Sequence, residues 1–111
     1  MFEKEAKKRL RELADLAWEE ELRQVLTPLA EAFERWKTRA VTSFEISDLI
    51  HEFHQGPSRR IWSTYQSLKP DMLVARAVAL GVLPREALPA ELADSLAQQI
   101  EFSRGSESDQ S

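Results

Sequence analysis

The two histidines of this 111-residue chain, His51 and His54, stand three positions apart within the stretch Glu45 to Arg60, EISDLIHEFHQGPSRR. On a helix, that interval makes the two imidazoles surface neighbours. Asp48 lies three residues before His51, and Glu52 four after Asp48. Asp48, His51 and His54 therefore offer two ring nitrogens and a carboxylate, a donor set suited to a divalent metal. The pattern is not that of zinc proteases, whose histidines are four apart with glutamate after the first. The helical wheel also opposes a buried site. With Ile46, Leu49, Ile50 and Phe53 turned inward, His51 points away from the core and His54 falls at the border. The expectation is solvated histidines, no bound metal and no cofactor. An acid-base or metal-dependent enzyme using Asp48, His51, Glu52 and His54 is the alternative.

Arg59 and Arg60 follow Gly56-Pro57-Ser58, which reads as the end of one helix and the start of the next. Two cations in a first helical turn oppose the macrodipole. Either ion pairs offset this cost, with Glu45, Asp48, Glu52, Glu31 or Glu34, or the free N–H groups and guanidiniums gather an anion. The ion pairs are the expected outcome. Glu45, Asp48, His51, Glu52, His54, Arg59 and Arg60 together form the candidate functional patch.

The elements that must carry these residues are helical. Only three glycines occur, and alanine, leucine, glutamate and arginine dominate. No alternating strand pattern is present. The reading is an all-α, compact bundle of about five or six helices over residues 1–102, with a serine-rich, disordered polar tail over 103–111. In the first helical stretch Leu10, Leu13, Ala14, Ala17 and Trp18 share one stripe, which continues as Leu22, Val25, Leu29, Ala32 and Trp36 at steps of three and four, with Leu26 and Phe33 beside it. That spacing is a seam for packing on another helix. Pro28 either breaks this long helix, with Thr27 as N-cap, or kinks it. A helix follows from Phe44 to Gln55, with Ser43 as N-cap and Gly56 as stop. The next carries Ile61, Trp62, Tyr65 and Leu68. A helix over 71–80, apolar nearly all round, is closed by Gly81. The last runs from Ala90 to Phe102 with Leu92, Leu96 and Ile100 on one face.

Composition narrows the function classes. No cysteine is present, which removes disulfides and thiolate chemistry and suits a reducing compartment such as the cytoplasm. The net charge of -4 opposes nonspecific nucleic-acid binding. The basic run Lys4, Lys7, Lys8, Arg9 and Arg11 is interleaved with glutamates and reads as a solvated helix face. No signal peptide or membrane span is read, since Arg76 and Gly81 interrupt the longest apolar run. No glycine-rich phosphate loop or nucleophile elbow occurs. The aromatic residues lie on apolar stripes and are expected in the core, although three tryptophans in so short a chain suggest a surplus for a partner. The leading expectation is a noncatalytic protein-protein interaction module whose partner includes itself, as a homodimer along the Leu10 to Trp36 seam. A small regulatory protein, antitoxin-like or immunity-like, that neutralises an enzyme is the second reading.

Overall fold

A computed structural model describes residues 2–110, and for 106–110 the backbone alone. All of its regular structure is helical: α1 (Lys4–Lys37), α2 (Ser43–Phe53), α3 (Arg59–Ser67), α4 (Pro70–Ala79) and α5 (Ala90–Gln110). A π-helical segment, His54–Ser58, joins α2 to α3 without interruption, and a 3-10 turn, Arg85–Ala87, precedes α5. The described residues thus form four continuous helices, fewer than the five or six expected, because α2 and α3 are one.

The reason lies at Gly56-Pro57. Gly56 keeps a negative φ and ends nothing; Gly81 is the glycine with positive φ, at 77°. In a regular α-helix the Pro57 ring would strike the carbonyl four residues back, that of Phe53. A π turn holds one extra residue and moves that carbonyl aside. It also restores the phase of the apolar face. Phe53 and Ile61 are eight residues apart, whereas two α-turns advance only about seven. The extra residue lets Ile61 and Tyr65, both buried, continue the stripe begun by Ile46.

Pro28 likewise fails to break its helix. Thr27 is not an N-cap, and its hydroxyl donates to the Arg23 carbonyl oxygen at 2.8 Å, inside an unbroken α1. The cap of α2 is Thr42 rather than Ser43. Its Oγ1 accepts from the Glu45 N–H at 3.1 Å, the bond of an N-cap, and its hydroxyl donates to Glu45 Oε1 at 3.3 Å. The last helix continues past Phe102 to Gln110, through the segment whose composition reads as a disordered tail. No proline follows Pro89, and Gly105 alone does not end the hydrogen-bond ladder. The tail's last residue, Ser111, lies outside the described residues.

Two helix ends share one geometry. Val82 N–H reaches the Ala77 carbonyl at 2.8 Å and Gly81 N–H that of Val78 at 3.1 Å. Ala40 N–H reaches the Arg35 carbonyl at 2.9 Å and Arg39 N–H that of Trp36 at 3.0 Å. Both are Schellman ends, with the residue after the C-cap in the left-handed region. Gly81 takes that conformation freely. Arg39, with φ of 68°, bears the Cβ strain. Arg39→Gly is therefore expected to stabilise the chain by about 0.5–1 kcal/mol, and Gly81→Ala to destabilise it by at least as much. Thermal melts followed by circular dichroism check both.

The chain divides into two compact units, Met1–Trp18 with Leu68–Ser111, and Glu19–Ser67. The first unit holds most of the core. Leu10, Leu13, Ala14 and Ala17 of α1 are buried there, with Leu73, Val74, Ala75, Ala77 and Val78 of α4 and Leu92, Leu96 and Ile100 of α5. Helix α4, apolar on nearly every side, is covered on most of them, as its composition demands.

The second unit is a pair of antiparallel helical stretches. The Trp36 indole N–H donates to Ser43 Oγ at 3.0 Å at the turn, and the Tyr65 hydroxyl donates to Glu21 Oε1 at 2.7 Å at the far end. Few apolar side chains close between them: Ala32, Ile46, Ile61 and Tyr65 are buried.

Candidate functional site

The candidate patch of α2 and the π segment is dispersed over an open surface. Glu45, Asp48, His51, Glu52, His54, Arg59 and Arg60 are all exposed. Gln55 Nε2 lies 3.2 Å from His51 Nε2, so one ring nitrogen of His51 has a neighbour on its own helix. Among the described residues no three His, Cys, Asp or Glu side chains gather as a metal-binding group, so Asp48, His51 and His54 do not form one. Arg59 and Arg60 sit inside a continuous helix rather than in a first turn, and no orphan N–H groups are available to an anion there. Neither forms an ion pair with the expected carboxylates among the described residues, whose ion pairs include Arg9 with Glu12, Arg23 with Glu19, Lys37 with Glu34 and Arg104 with Glu101.

The seam of α1 changes character along its length. Leu10, Leu13 and Ala17 are buried in their own unit and closed to any partner. Trp18, Leu22, Val25, Leu29 and Phe33 are half-buried, and Trp36 is 41% exposed. Of the aromatic residues expected in the core, Tyr65 is buried, Phe53 is half-buried, and Trp62 is 58% exposed.

Within the 19–67 unit the two helical stretches leave two open flanks. At about 100° per residue, Glu21 and Ala32 face α2 and α3, and Ile46 and Tyr65 face back. One flank is a groove of about 510 Å³ lined by Val25, Pro28, Leu29, Leu49, Phe53 and Pro57, with Gln24, Arg35 and Glu52 at its edge. Both helix-interior prolines of the chain meet here, and Glu52 is the member of the candidate patch that reaches it.

The other flank is apolar and open. Leu22, Leu26 and Phe33 of α1 turn to this side, and so do Ile50 of α2 and Trp62 of α3. Leu26 and Ile50 are each 44% exposed. Phe33 and Trp36 support one another edge to face, with ring centroids 6.2 Å apart. Neither family models nor curated proteins nor solved structures match this chain. The apolar flank must therefore be read from its own chemistry.

Its border is charged in order. Glu19 accepts from Arg23 at 2.9 Å, and Lys37 donates to Glu34 at 3.1 Å. The hydrogen bond and charge of Glu19 hold the Arg23 guanidinium above its ordinary value.

A second concave surface, of about 780 Å³, lies in the other unit between α4 and α5, with Leu68, Met72 and Phe102 on its walls. Gln99 donates to Asp71 Oδ2 there at 3.3 Å, and its Oε1 is already enclosed without a partner among the described residues.

The sequence reading missed one site altogether, the buried Glu21 carboxylate under Tyr65. The available signal was a glutamate four residues after Ala17 on the inward face of α1, where an apolar residue belongs. Among the described residues no helix is long and apolar enough to cross a membrane.

Proposed function

We propose that the chain is a noncatalytic protein-protein interaction module that self-associates through the open apolar flank of its 19–67 unit. One observation carries this reading: Leu26, Ile50 and Trp62, 44%, 44% and 58% exposed, share one flank of a two-helix layer. A domain needs two packed layers to shelter such a face. Large apolar side chains exposed on one flank mark interaction sites, and tryptophan is among the residues most enriched where binding energy concentrates. A cytoplasmic setting suits a chain without cysteine.

Light scattering and sedimentation equilibrium on the full chain test the reading. The average mass is expected to rise above that of one chain between low and high micromolar concentration. Leu26→Asp and Trp62→Asp are expected to weaken association by about thirtyfold or more, the scale of a hot-spot residue. Their helical circular dichroism should remain, since both side chains face out. A wild-type chain that stays single at high micromolar concentration would refute self-association, as would aspartate variants that associate normally.

A further inference from the structure

We infer that the second copy docks on α1 antiparallel to the first, about a two-fold axis crossing the helix near position 28, and that the charges bordering the seam select this register. The inference rests on the self-association reading above and adds the partner's orientation.

On the open side of α1, Glu19, Leu22, Leu26, Ala30, Phe33 and Lys37 follow at steps of three and four. That is the spacing of a seam between two helices. A shallow surface of about 320 Å³ runs along it past Glu19, Arg23, Leu26 and Ala30.

The order of charges along the seam is antisymmetric. Glu19 and Lys37 are opposite in sign, and their midpoint is position 28. Arg23 and Glu34 are also opposite, with a midpoint half a residue further, about 0.75 Å along the axis. Leu26 and Ala30 share the midpoint 28, so the larger side chain of each copy meets the smaller one of the other.

An isologous two-fold interface requires this self-complementarity, in which each residue meets its counterpart reversed about the axis. A parallel pairing would set Glu19 against Glu19, Arg23 against Arg23 and Lys37 against Lys37. Antiparallel packing instead converts the two ion pairs within each helix into mixed clusters across the interface. The pairs stay partly hydrated at the rim, where charge fixes orientation more than affinity. Ile50 and Trp62 open on the same flank of each copy and extend the apolar area beyond the α1 seam.

The test uses charge reversal on the full chain, read by sedimentation equilibrium. Arg23→Glu alone sets two carboxylates against one another across the axis, one at position 23 and one at position 34 of the second copy. Glu34→Arg alone sets two guanidiniums against one another at the same two positions. Each is expected to weaken self-association about tenfold. An equimolar mixture of the two single variants restores both opposite-charge pairs in a heterodimer, so its association should return to near the wild-type level. The double variant in one chain should recover likewise, although it carries the intrahelical cost of both changes. A chain that is wild-type dimeric but shows no recovery in the mixture would overturn this register and leave the self-association reading standing. Single variants as tightly associated as the wild type would do the same. A wild-type chain that never exceeds one copy would overturn both.

Discussion

Leu96→Ala is expected to lower the stability of the chain by about 2–5 kcal/mol. Leu96 is fully buried, at 0% exposure, on the same stripe of α5 as Leu92 and Ile100. Helices α4 and α5 share the most extensive packing of any two helices among the described residues. Truncation removes the transfer free energy of the deleted carbons and leaves a cavity that helices held this closely cannot easily fill by moving. Urea unfolding followed by far-ultraviolet circular dichroism would show a lower midpoint with an unchanged slope. Phe44→Ala is the control, since a side chain 84% exposed should change stability by no more than about 0.5 kcal/mol. A Leu96→Ala midpoint close to the wild type would mean that the α4–α5 packing is not where stability resides.

The residues that declared themselves in the sequence are those governed by local geometry. Leu92, Leu96 and Ile100 repeat at four-residue steps, and all three are buried. Gly81 ends α4 because a left-handed residue was needed and glycine supplies it. Arg39 does the same work with the wrong side chain, so composition gave no warning of it. Gly56-Pro57 misled for the opposite reason. The pair is a strong local stop, but continuing the apolar stripe into Ile61 and Tyr65 favours one helix, and a single π turn meets both demands. That outcome moves Arg59 and Arg60 from a helix start to a helix interior and removes the anion site built on them. The eight-residue interval from Phe53 to Ile61 carried this information, legible only once the two segments are taken as one helix.

Where the seam of α1 is covered was not legible either. Its period is continuous from Leu10 to Trp36, yet beyond residue 18 only Glu21 and Ala32 of α1 are buried, and Trp18, Leu22, Val25, Leu29 and Phe33 are covered only in part. Periodicity states which side of a helix is apolar. It does not state whether the covering surface belongs to the same chain. The exposed residues of the 19–67 unit are therefore the part of the pattern that its own fold leaves unexplained, and a second copy is one way to complete the layer. The histidine patch has the reverse history. Its residue types suggested chemistry, but His51 points away from the apolar face of α2, His54 stands at its border, and among the described residues no third ligand joins them.

Tyr65→Phe is expected to cost about 1.5–3 kcal/mol, although it removes a single oxygen atom. The Tyr65 hydroxyl donates to Glu21 Oε1 at 2.7 Å, and both residues are only 8% exposed. A hydrogen bond to a charged acceptor is stronger than one between neutral groups, and the carboxylate left behind stays largely out of water. The bond also ties positions 44 residues apart, joining the far ends of the two stretches that Trp36 and Ser43 join at the turn. Glu21→Gln keeps an acceptor oxygen under the hydroxyl and should cost less than Tyr65→Phe. Because Glu21 and Tyr65 each have further interactions, the single variants alone do not isolate this bond. The double-mutant cycle of Tyr65→Phe with Glu21→Ala, in which each change removes the bond, does, and urea unfolding should return a coupling energy of about 0.5 kcal/mol or more. Strictly additive losses would show that the hydroxyl and the carboxylate contribute independently, and that the antiparallel pair is held at this end by packing of the Tyr65 ring.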